Sequence, residues 1–389
     1  MNARLPRSPQ QLTVEEIFEA HAGGKLTIAS TRPLEDMRDL SLAYTPGVAT
    51  VCEAIADDPG MARTLTGVGN TVAIISDGTA VLGLGDIGPR AALPVMEGKA
   101  QLFSSFAGLN AIPIVLDVHE VDELVETIVA MAPSFGAINL EDISAPRCFE
   151  VERQLIERLD IPVMHDDQHG TAVVILAALR NAISLLDRRL EDLKIVISGA
   201  GAAGVAAVEM LLNAGARDIV VLDSRGIIQA DRSHLTPVKK ALAARTNPRG
   251  ISGDMKVALT GADVFIGVSG GSVGEDALKL MAKQPILFSL ANPVPEIDPA
   301  LAHRYGAIVA TGRSDLPNQI NNVLAFPGIF HGALAAGATA ITPAMKLAAS
   351  QAIAEIAAEN LDVGHIVPSP LDPRVAPAVS TAVQSAAGE

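Results

Sequence analysis

The amino-acid sequence predicts an α/β fold in which an N-terminal α/β domain is followed by a doubly wound parallel sheet domain and by C-terminal helices. Short runs of β-branched residues alternate with longer Ala- and Leu-rich amphipathic stretches, which is the pattern of strands and crossover helices. No internal repeat or low-complexity tract interrupts this alternation. The length of 389 residues suits two ordinary domains, since chains of this size bury roughly three quarters of the surface that the unfolded chain exposes.

The first block of elements predicts the N-terminal domain, which we expect to span residues 1–162. Two amphipathic helices are expected around 91–109 and 121–130, between apolar runs that are too short for helices. The runs predicted as strands are 71–76, 112–117 and 136–140. Ionisable residues follow these runs, so we expect this block to carry the chemistry.

The second block predicts a doubly wound parallel sheet over residues 163–342, in the arrangement typical of nucleotide-binding domains. Four apolar runs alternate with helical stretches there, at 194–198, 218–223, 263–268 and 285–290. The remaining segment, 343–389, is predicted to hold a helix over 344–357 and a Pro-rich surface tail after Val367.

The composition argues against a membrane protein and against export. Hydrophobic residues make up 49% of the chain and the mean hydropathy is +0.33, yet charges, Gly or Pro interrupt every apolar stretch before the ~18 residues that a spanning helix needs. Arg4 and Arg7 are not followed by the apolar run of a secretory signal. Cys52 and Cys148 are too few for a disulfide framework, and we expect both in the core. These features predict a cytoplasmic protein.

The acidic character of the chain predicts small-molecule partners. A formal net charge of −15 and a pI near 5.0 disfavour nucleic acids and anionic membrane surfaces, because both are bound by clustered Lys and Arg. An anionic small molecule would need local positive charge from a basic side chain or a metal ion.

A glycine-rich turn, SGAGAAG, predicts a dinucleotide site of the Rossmann type in the second block. Gly199, Gly201 and Gly204 follow the run KIVIS and precede a helix of Ala, Val and Leu. Lacking a Cβ, the first Gly permits a tight turn, the second lets the backbone approach a pyrophosphate, and the third lets helix and strand pack closely. Asp223 ends the next run, where an acidic side chain accepts a hydrogen bond from the ribose 2′-hydroxyl.

Two alternatives stay open at this turn. An isolated G-x-G-x-x-G in an Ala-rich chain can be a packing turn, and it is the flanking strand, the helix and Asp223 together that favour a nucleotide. The choice between NAD and NADP is also open. Asp223 would repel a 2′-phosphate whereas Arg225 could bind one, so the sequence favours NAD only slightly.

Two pairs of carboxylates predict a site for a hard divalent cation. Glu141 and Asp142 follow one apolar run, and Asp166 and Asp167 follow another. Open α/β sheets place ligands at strand ends, so the two loops are expected to meet around Mg²⁺ or Mn²⁺, which prefer oxygen ligands. Such a cation would supply the positive charge that an anionic ligand needs. The alternative for a single pair is a solvated loop or a helix N-cap.

Histidine, lysine and tyrosine side chains give weaker signals. His165 and His169 beside two Asp suggest zinc, but their spacing lacks a third close ligand, and His near Asp is often only a hydrogen-bonded pair. Lys99 lies in an otherwise apolar helix, where a lone lysine usually extends to solvent. As a catalytic base, Lys99 would need a pKa lowered by a nearby cation and partial burial. Tyr44 is most simply a loop aromatic ahead of Pro46.

Read together, these segments resemble the malic enzymes, particularly the short bacterial type. The motifs occur in the family's order over residues 44–330 as SLAYTPGV, GLGDIG with PVMEGKA, NLEDI, HDDQHGTA, SGAGAAG, ANPVPEI and PNQINNVLAFPGIF. The resemblance implies an N-terminal substrate and metal domain, a nicotinamide cofactor, Mg²⁺ or Mn²⁺, and oxidation and decarboxylation of L-malate to pyruvate and CO₂. It also implies a homodimer or higher assembly, for which the sequence identifies no interface.

The resemblance further implies roles for individual residues. Lys99 resembles the general base, Tyr44 the general acid, and Asp166 the acid that supports the lysine. The positions that resemble metal ligands are Glu141, Asp142 and Asp167. Asn292 resembles a cofactor contact, and Asn321 and Asn322 resemble substrate contacts. The glycine turn keeps its dinucleotide role.

Some positions depart from the family pattern, and three rival functions stay open. Leu316 and His331 stand where an aromatic and a basic residue are expected. Some larger relatives carry a phosphate acetyltransferase-like region that this sequence lacks, so regulation through that region is not expected. A non-decarboxylating dehydrogenase would have no need for three converging acids, and a NAD(P) sensor with a dead site would have no need for an intact Lys99 and Tyr44. A malolactic-type enzyme, which releases lactate, would share almost every residue named above.

Overall fold

The computed structural model describes residues 12–81 and 83–388. Arg4 and Arg7, after which no secretory signal was expected, lie outside the described residues. Four short helices open the described chain, namely α1 (Val14–His21), α2 (Met37–Ala43), α3 (Gly47–Asp57) and α4 (Ala62–Leu65). None of these helices contains a fully buried residue, so they lie on the surface of the chain.

A four-stranded parallel sheet with the order β2-β1-β3-β4 forms the next layer. Helices alternate with its strands along the chain. Each helix carries the chain back across the sheet, so that successive strands run in the same direction. The elements are β1 (Thr71–Ser76), α5 (Pro89–Ala107), β2 (Asn110–Val115), α6 (Val121–Met131), β3 (Ala137–Leu140), α7 (Arg147–Arg158), β4 (Val163–His165) and α8 (Asp166–Leu185). The first three strands lie within two residues of their predicted positions. The runs of β1 and β3 are almost entirely buried, whereas β2 is an edge strand and is only partly buried.

A six-stranded sheet with the order β10-β9-β8-β5-β6-β7 follows, parallel except for the short β7. Its elements are β5 (Lys194–Ser198), α9 (Ala202–Asn213), β6 (Asp218–Asp223), β7 (Gly226–Ile227), α10 (Pro237–Arg245), α11 (Met255–Leu259), β8 (Val264–Gly267), α12 (Glu275–Leu278), β9 (Ile286–Ser289), α13 (Pro299–Tyr305) and β10 (Ile308–Thr311). The four runs predicted from the sequence match β5, β6, β8 and β9 within one residue. The doubly wound parallel sheet is therefore confirmed, and β7 and β10 are additions to it.

Helix α8 joins the two sheets into one hydrophobic core. Residues 172–179 of this helix are all buried, and α8 packs against α9 and against the C-terminal helix α15 (Pro343–Ala358). A helix that is apolar on every side is stable only when other elements surround it. The N-terminus of α8 is thereby fixed between the two sheets, where Asp166 and Asp167 begin it. The domain limits at residues 162 and 342 stay a prediction.

The C-terminal segment corrects one prediction. The tail after Val367 was expected on the surface, but it contains α16 (Val375–Ala386), whose Val379 and Val383 are fully buried. This helix packs against α14 (Phe326–Ala335) and α15. A Cβ on Gly328 of α14 would lie 2.6 Å from the Cβ of Val379, so glycine permits the close approach of the two helices.

The two cysteines have different environments. Cys148 is buried, as predicted, whereas Cys52 on α3 is exposed and its predicted core position is wrong. One face of α3, with Val48, Val51 and Ile55, is half-buried, and Cys52 lies off that face. No helix within the described ranges combines the length and the apolar character that a membrane span requires.

Candidate active site between the two sheets

The predicted carboxylates meet at the carboxyl ends of two neighbouring parallel strands. Glu141 and Asp142 follow β3, and Asp166 and Asp167 follow β4, which pairs with β3 in the sheet. One oxygen from each of Glu141, Asp142 and Asp167 lies within 4.8 Å of the others. The alternative of separate solvated loop acids is wrong for Glu141 and Asp142, which are buried.

Lys99 reaches this cluster from α5 and is buried, not extended to solvent. Its Nζ lies 2.5 Å from Oδ2 of Asp166 and 2.9 Å from Oε1 of Glu141. The ring of Phe326 covers the ammonium group at 4.2 Å from its centroid, and Phe103 packs against Phe326 at 4.7 Å between ring centroids. A lysine held in this way has a fixed Nζ position, which acid-base catalysis requires.

The pKa values of this cluster are set by burial and by mutual charge. Burial alone would lower the pKa of Lys99, but the carboxylates of Asp166, Glu141 and Asp167 outweigh burial and raise that pKa. Burial raises the pKa of Asp166 to about 8, and it raises the pKa of Glu141 and of Asp167 as well. The lowered pKa expected for Lys99 is therefore not a property of these side chains alone. A cation beside them would oppose the ammonium form and would lower the pKa of each of these groups.

Backbone and side-chain contacts hold the acids in place. Asn139 donates from Nδ2 to Oε2 of Glu141 at 2.9 Å, and the backbone N–H of Asp142 donates to Oδ2 of Asp167 at 2.8 Å. Asp142 itself has a φ of 54°, a left-handed conformation that Asp and Asn tolerate better than most residues. The two acidic loops are therefore tied to each other and not only to their own strands.

Oxygen is the donor atom of the acid triad Glu141, Asp142 and Asp167, and such a set fits Mg²⁺ or Mn²⁺ better than zinc. Among the described residues this triad is the group whose ligand atoms are close enough to hold a metal ion, and neither His165 nor His169 belongs to it. Instead, His165 is fully buried, and His169 contacts Glu152.

A buried hydrogen-bond network behind the acids was not predicted from the sequence. Glu152 on α7 accepts from the backbone N–H of His165 at 2.7 Å and from Nε2 of Gln168 at 3.1 Å. It also accepts from Nε2 of His169 at 3.0 Å, and Lys346 on α15 donates to Nδ1 of that ring at 3.1 Å. The network therefore joins α7, the start of α8 and α15 through residues that flank Asp166 and Asp167 in the sequence.

Replacing Glu152 by Gln is expected to lower the free energy of unfolding by roughly 2–3 kcal/mol at pH 7. Burial would raise the pKa of Glu152, but His169 and His165 outweigh burial and lower that pKa to about 2. A carboxyl whose folded pKa lies below its unfolded pKa stabilises the protein above the unfolded value, and this stabilisation is lost as the pH falls toward 2. Urea denaturation at several pH values should show parent and variant converging below about pH 4.5.

Glu150 on the same helix is a matched control for that measurement. Its pKa is also lowered to about 2, by Arg153 and Gln154, but its side chain is exposed. Exposed ion pairs contribute little, so Glu150→Gln should cost less than about 1 kcal/mol. Equal effects of the two variants would contradict a special role for the buried network.

The glycine turn has the geometry expected for a dinucleotide. Gly199 has a φ of 122°, and a Cβ on Gly204 would lie 2.0 Å from the carbonyl oxygen of Gly199. A Cβ on Gly201 would meet nothing within 4 Å, because Gly201 faces open space. The alternative of a mere packing turn explains Gly204 but not the open face of Gly201.

Two cavities meet at this glycine turn. One of about 720 Å³ extends from Gly199 and Gly201 to Asp223, and one of about 820 Å³ extends from Gly201 to Asp142 and Asp167. Both are also lined by the loop 268–272 that follows β8. The carboxylate of Glu296 holds that loop, accepting from the backbone N–H of Ser269 at 2.9 Å. The shared lining makes one groove that connects Asp223 with the acid triad.

The predicted ribose contact, Asp223, has partners that the sequence did not indicate. Its Oδ2 accepts from the guanidinium of Arg232 and, at 2.6 Å, from Nζ of Lys239. These hydrogen bonds lower the pKa of Asp223 to about 2 despite an opposing effect of burial. Asp223 is therefore an ionised carboxylate whose charge is already compensated.

Of the three predicted asparagines, Asn292 lines the groove, and Asn322 lies close to Asp166. Asn292 lines the larger cavity, and Asn321 caps the turn Asn322–Leu324 by accepting from the N–H of Val323. A Cβ on Gly170 would lie 1.9 Å from Oδ1 of Asp166 and 3.0 Å from the Cβ of Asn322. Glycine in HDDQHGTA thus lets Asn322 approach the Asp166 side chain closely.

Tyr44 is the predicted residue that the described chain does not bring to this site. Tyr44 lies at the end of α2 and is 67% exposed. It lines neither part of the groove. Leu316 and His331, the two departures from the family pattern, also line neither part of the groove. His331 on α14 bonds through Nδ1 to the hydroxyl of Ser380 on α16 at 2.7 Å.

A doubly wound sheet with a dinucleotide groove, ending at a buried lysine and an acid triad, defines a two-domain nicotinamide-dependent oxidoreductase. Residues 23–156 match the family described as malic enzyme, N-terminal domain, and residues 168–387 match malic enzyme, NAD binding domain. The chain belongs to the malic enzyme family, the NAD(P)-dependent oxidoreductases that oxidatively decarboxylate malate.

Individual relatives agree with this family. A NAD-dependent malic enzyme of Geobacillus stearothermophilus is 54% identical over 375 residues, covering 96% of this chain and 78% of that protein. A bifunctional malic/malolactic enzyme of Bacillus subtilis is 51% identical over 381 residues, covering 96% and 93%. The crystal structure of a NAD-dependent malic enzyme from Thermotoga maritima is 46% identical with a TM-score of 0.92, covering 96% and 99% of the two chains.

Proposed function

We propose that this chain converts L-malate to pyruvate and CO₂ with NAD or NADP and with Mg²⁺ or Mn²⁺, using Lys99 as general base. The observation that carries the proposal is the position of Lys99. Its Nζ is buried against Asp166 and Glu141, and Glu141 belongs to the acid triad, whose other members Asp142 and Asp167 line the groove. A non-decarboxylating dehydrogenase would not require three converging acids beside its base.

Lys99 takes the proton of the C2 hydroxyl while the C2 hydrogen leaves as hydride. Asp166 and Glu141 accept hydrogen bonds from Nζ and stabilise the ammonium that forms. Phe326 and Phe103 exclude water from the side of Lys99 that faces the core, which keeps Nζ directed at the substrate. Asp166 acts through Lys99 and is a positioning residue in this scheme.

Glu141, Asp142 and Asp167 are the residues that would hold the divalent cation. When bound there, the cation polarises the C2 oxygen and supplies positive charge that an acidic protein otherwise lacks for a dicarboxylate. Asn322, which approaches Asp166 across Gly170, and Asn321, which caps the same turn before α14, are the proposed substrate contacts.

Gly199, Gly201, Gly204, Asp223 and Asn292 would hold the nicotinamide cofactor, which accepts the hydride. The open face of Gly201 leaves room for a pyrophosphate, and Asp223 ends β6 at the ribose end of the groove. The sequence favoured NAD slightly for this site. The finer choice between NAD and NADP depends on the groups around Asp223.

A malolactic outcome is the second candidate. It is favoured by one observation, namely that the Bacillus subtilis relative at 51% identity carries the description bifunctional malic/malolactic enzyme. The same lysine, acid triad and groove would serve both reactions, because both begin with oxidation of C2.

Turnover of L-malate tests the proposal. Absorbance at 340 nm should rise with NAD or NADP only when Mn²⁺ is present, and pyruvate should form in equal amount. Lactate without net reduction of the cofactor would favour the malolactic outcome instead. Reduction without pyruvate would contradict decarboxylation, and absence of any turnover would favour the sensor alternative.

The N-terminal helices support a homodimer or a higher assembly of identical chains. The exposed large apolar residues in these helices and in the segments beside them are Leu12, Val14, Ile17, Phe18, Leu26, Ile28, Leu34, Met37, Leu40 and Leu42. Monomeric proteins rarely expose so many neighbouring apolar side chains, so a partner copy is the proposed cover. We place such an assembly in the cytoplasm, as the two unpaired cysteines suggest.

Tyr44 is the proposed acid that returns a proton to C3 after loss of CO₂. Because it is exposed and contacts no part of the Lys99 cluster in its own chain, we expect it to act in the site of a partner. Tyr44→Phe and Lys99→Ala proteins should each be nearly inactive alone. Mixed and reassembled in equal amounts, they should regain about a quarter of the parent activity, since one site in half of the dimers is intact.

The contrary result of the mixing experiment is equally specific. If Tyr44 acts within its own chain, every mixed dimer carries two defective sites and activity does not return. Size-exclusion chromatography with light scattering on the same samples reports whether the chains exchange at all.

A further inference from the structure

A second cluster of polar side chains lies at the carboxyl edge of the four-stranded sheet. Its members are Asp77 and Thr79, which follow β1, and Arg147, which begins α7. The side chain of Asp77 is fully buried, and it forms an ion pair with Arg147, whose side chain is 23% exposed. None of the three lines the groove or belongs to the acid triad, so the proposed reaction does not use them directly.

Arg147 joins the loops at this edge. Its guanidinium donates to Oδ2 of Asp77, to the carbonyl oxygen of His119 after β2 and, at 3.1 Å, to the hydroxyl of Thr79. A guanidinium offers five N–H donors in fixed directions, so it can bind these acceptors together, whereas the point charge of a lysine cannot. The segments that follow β1, β2 and β3 are therefore held at fixed distances from one another.

The hydroxyl of Thr79 uses every hydrogen-bonding position that it has. It donates to Oδ1 of Asp77 at 2.6 Å, and it accepts from Arg147 and, at 3.0 Å, from the backbone N–H of Ser144. A hydroxyl has one hydrogen to donate and two lone pairs with which to accept, so its orientation is fixed here. An apolar side chain of the same size could not accept the N–H of Ser144.

Thr79 and Ala80 hold the loop that carries Asp142, one of the proposed metal ligands. The backbone N–H of Ala80 donates to the carbonyl oxygen of Asp142 at 2.9 Å, and the contact of Thr79 with Ser144 lies two residues further along. Asp142 lies at the first of these contacts with a φ of 54°, a conformation that a residue other than Gly keeps only when its surroundings hold it. Ala80, Asp142 and Ser144 all line the larger cavity, so these contacts shape the groove beside the acid triad.

We propose that Thr79, held by the ion pair of Arg147 with Asp77, is a positioning residue for the divalent cation. Its hydroxyl fixes Ser144, and with it the left-handed turn at Asp142 that directs this carboxylate toward the other two acids. The inference rests on the proposed function, because it assumes that the acid triad holds Mg²⁺ or Mn²⁺. It adds residues that do not touch the cation but decide how tightly the cation is bound.

Binding of Mn²⁺ without substrate, measured by isothermal titration calorimetry, tests this inference. Thr79→Val keeps the shape of the side chain without the hydroxyl, and it should weaken Mn²⁺ binding roughly 10- to 100-fold, the range for loss of a group that orients a metal ligand. Thr79→Ser keeps the hydroxyl and should stay within about threefold of the parent. The affinity for ADP should change in neither variant, since Thr79 does not line the cavity that extends from Gly199 to Asp223.

Thr127→Val is the matched control for the loss of a hydroxyl. Thr127 is partly buried on α6, where its hydroxyl donates to the carbonyl oxygen of Glu123 at 2.8 Å, and its replacement should leave the affinity for Mn²⁺ unchanged. All affinities are compared at a temperature where scanning calorimetry shows each variant to be folded. A general loss of stability then has no effect on the measured binding of the metal.

Arg147→Lys tests the part of the ion pair. It keeps a positive charge beside Asp77 but loses the planar guanidinium that binds several loops, so it should weaken Mn²⁺ binding several-fold. Arg153→Lys is its control, because Arg153 lies on the same helix with a largely exposed side chain and should have no effect. Parent affinity for Mn²⁺ in Arg147→Lys would overturn the role given to the ion pair.

The possible results separate the inference from the proposed function. Parent affinity for Mn²⁺ in Thr79→Val, or equal losses in Thr79→Val and Thr79→Ser, would overturn the inference alone. If the parent bound ADP but not Mn²⁺, the acid triad would not be a metal site, and the proposed function would fail with the inference.

Discussion

Replacing Lys99 by Ala is expected to lower kcat for malate oxidation by roughly 10³-fold or more, the upper part of the range for loss of a general base. No other described basic side chain lies within hydrogen-bond distance of Asp166 or Glu141, so no neighbour can take over the proton. The pKa of Asp166 is already raised to about 8 by burial, and removal of the ammonium would raise it further. The initial rate at 340 nm with saturating malate and Mn²⁺ is the measurement.

The control for Lys99→Ala is Lys25→Ala. Lys25 also contacts α5, donating from Nζ to the carbonyl oxygen of Pro94 at 2.8 Å, but it is only partly buried and lies outside the groove. Its removal should leave kcat within a factor of two or three. Both variants should bind ADP like the parent, because the cavity around Gly199 and Asp223 is remote from α5. Parent-level malate oxidation by Lys99→Ala would overturn the proposed mechanism.

The strands and the acid cluster were predictable because their signals are local. Buried parallel strands are continuous Val and Ile runs, and the residue after each run lies at the carboxyl edge of the sheet whatever the rest of the chain does. The proximity of Glu141 and Asp167 could therefore be predicted, because each residue follows an apolar run that forms a strand, β3 or β4. The glycine turn was predictable for the same reason, since backbone conformation alone requires Gly199.

The contacts that were not predicted join distant parts of the chain. Phe326 covers Lys99 across 227 positions, and Lys346 reaches His169 across 177. Neither pairing follows from periodicity, because any apolar helix face could have carried the ring. Lys239 beside Asp223 is closer in sequence, yet it depends on the turn after β6 and on the direction in which α10 starts.

The C-terminal tail shows why composition misled in one place. Four Pro in the segment 367–377 suggest an irregular surface stretch, but α16 begins within that segment at Val375 and includes Pro377. This helix is stabilised by contact with glycines of α14, which the tail's own sequence does not reveal. The burial of a residue in α16 therefore depends on which elements the helix packs against. The same holds for Cys52, which is exposed on α3, a helix with no fully buried residue.

Asp167→Asn is expected to have opposite effects on activity and on stability. Its carboxylate is one of three that converge within 4.8 Å, so loss of one charged ligand should weaken Mn²⁺ binding by at least roughly 100-fold and abolish most malate oxidation. Without metal, the same change should raise the melting temperature. Burial raises the pKa of Asp167, which means that the folded state penalises its ionised form, and a neutral amide removes that penalty.

The hydrogen bond that Asp167 makes survives this substitution. The Asn side-chain oxygen can still accept from the backbone N–H of Asp142, so the connection between the two acidic loops is retained. Mn²⁺ affinity is measured by calorimetry, and the melting temperature by scanning calorimetry in EDTA. Asp117→Asn, at a residue that follows β2 at the same edge of the sheet with an 84% exposed side chain, is the control and should change neither quantity.

The two readouts of Asp167→Asn can fail independently, and each failure has a separate meaning. Unchanged Mn²⁺ affinity would remove Asp167 from the metal site and leave Glu141 and Asp142 without their third ligand. A lower melting temperature in EDTA would mean that the contact with the Asp142 backbone stabilises the fold more than the crowded charges destabilise it. Loss of Mn²⁺ binding together with a gain in stability would show that these carboxylates are held together at the expense of stability because the metal requires them.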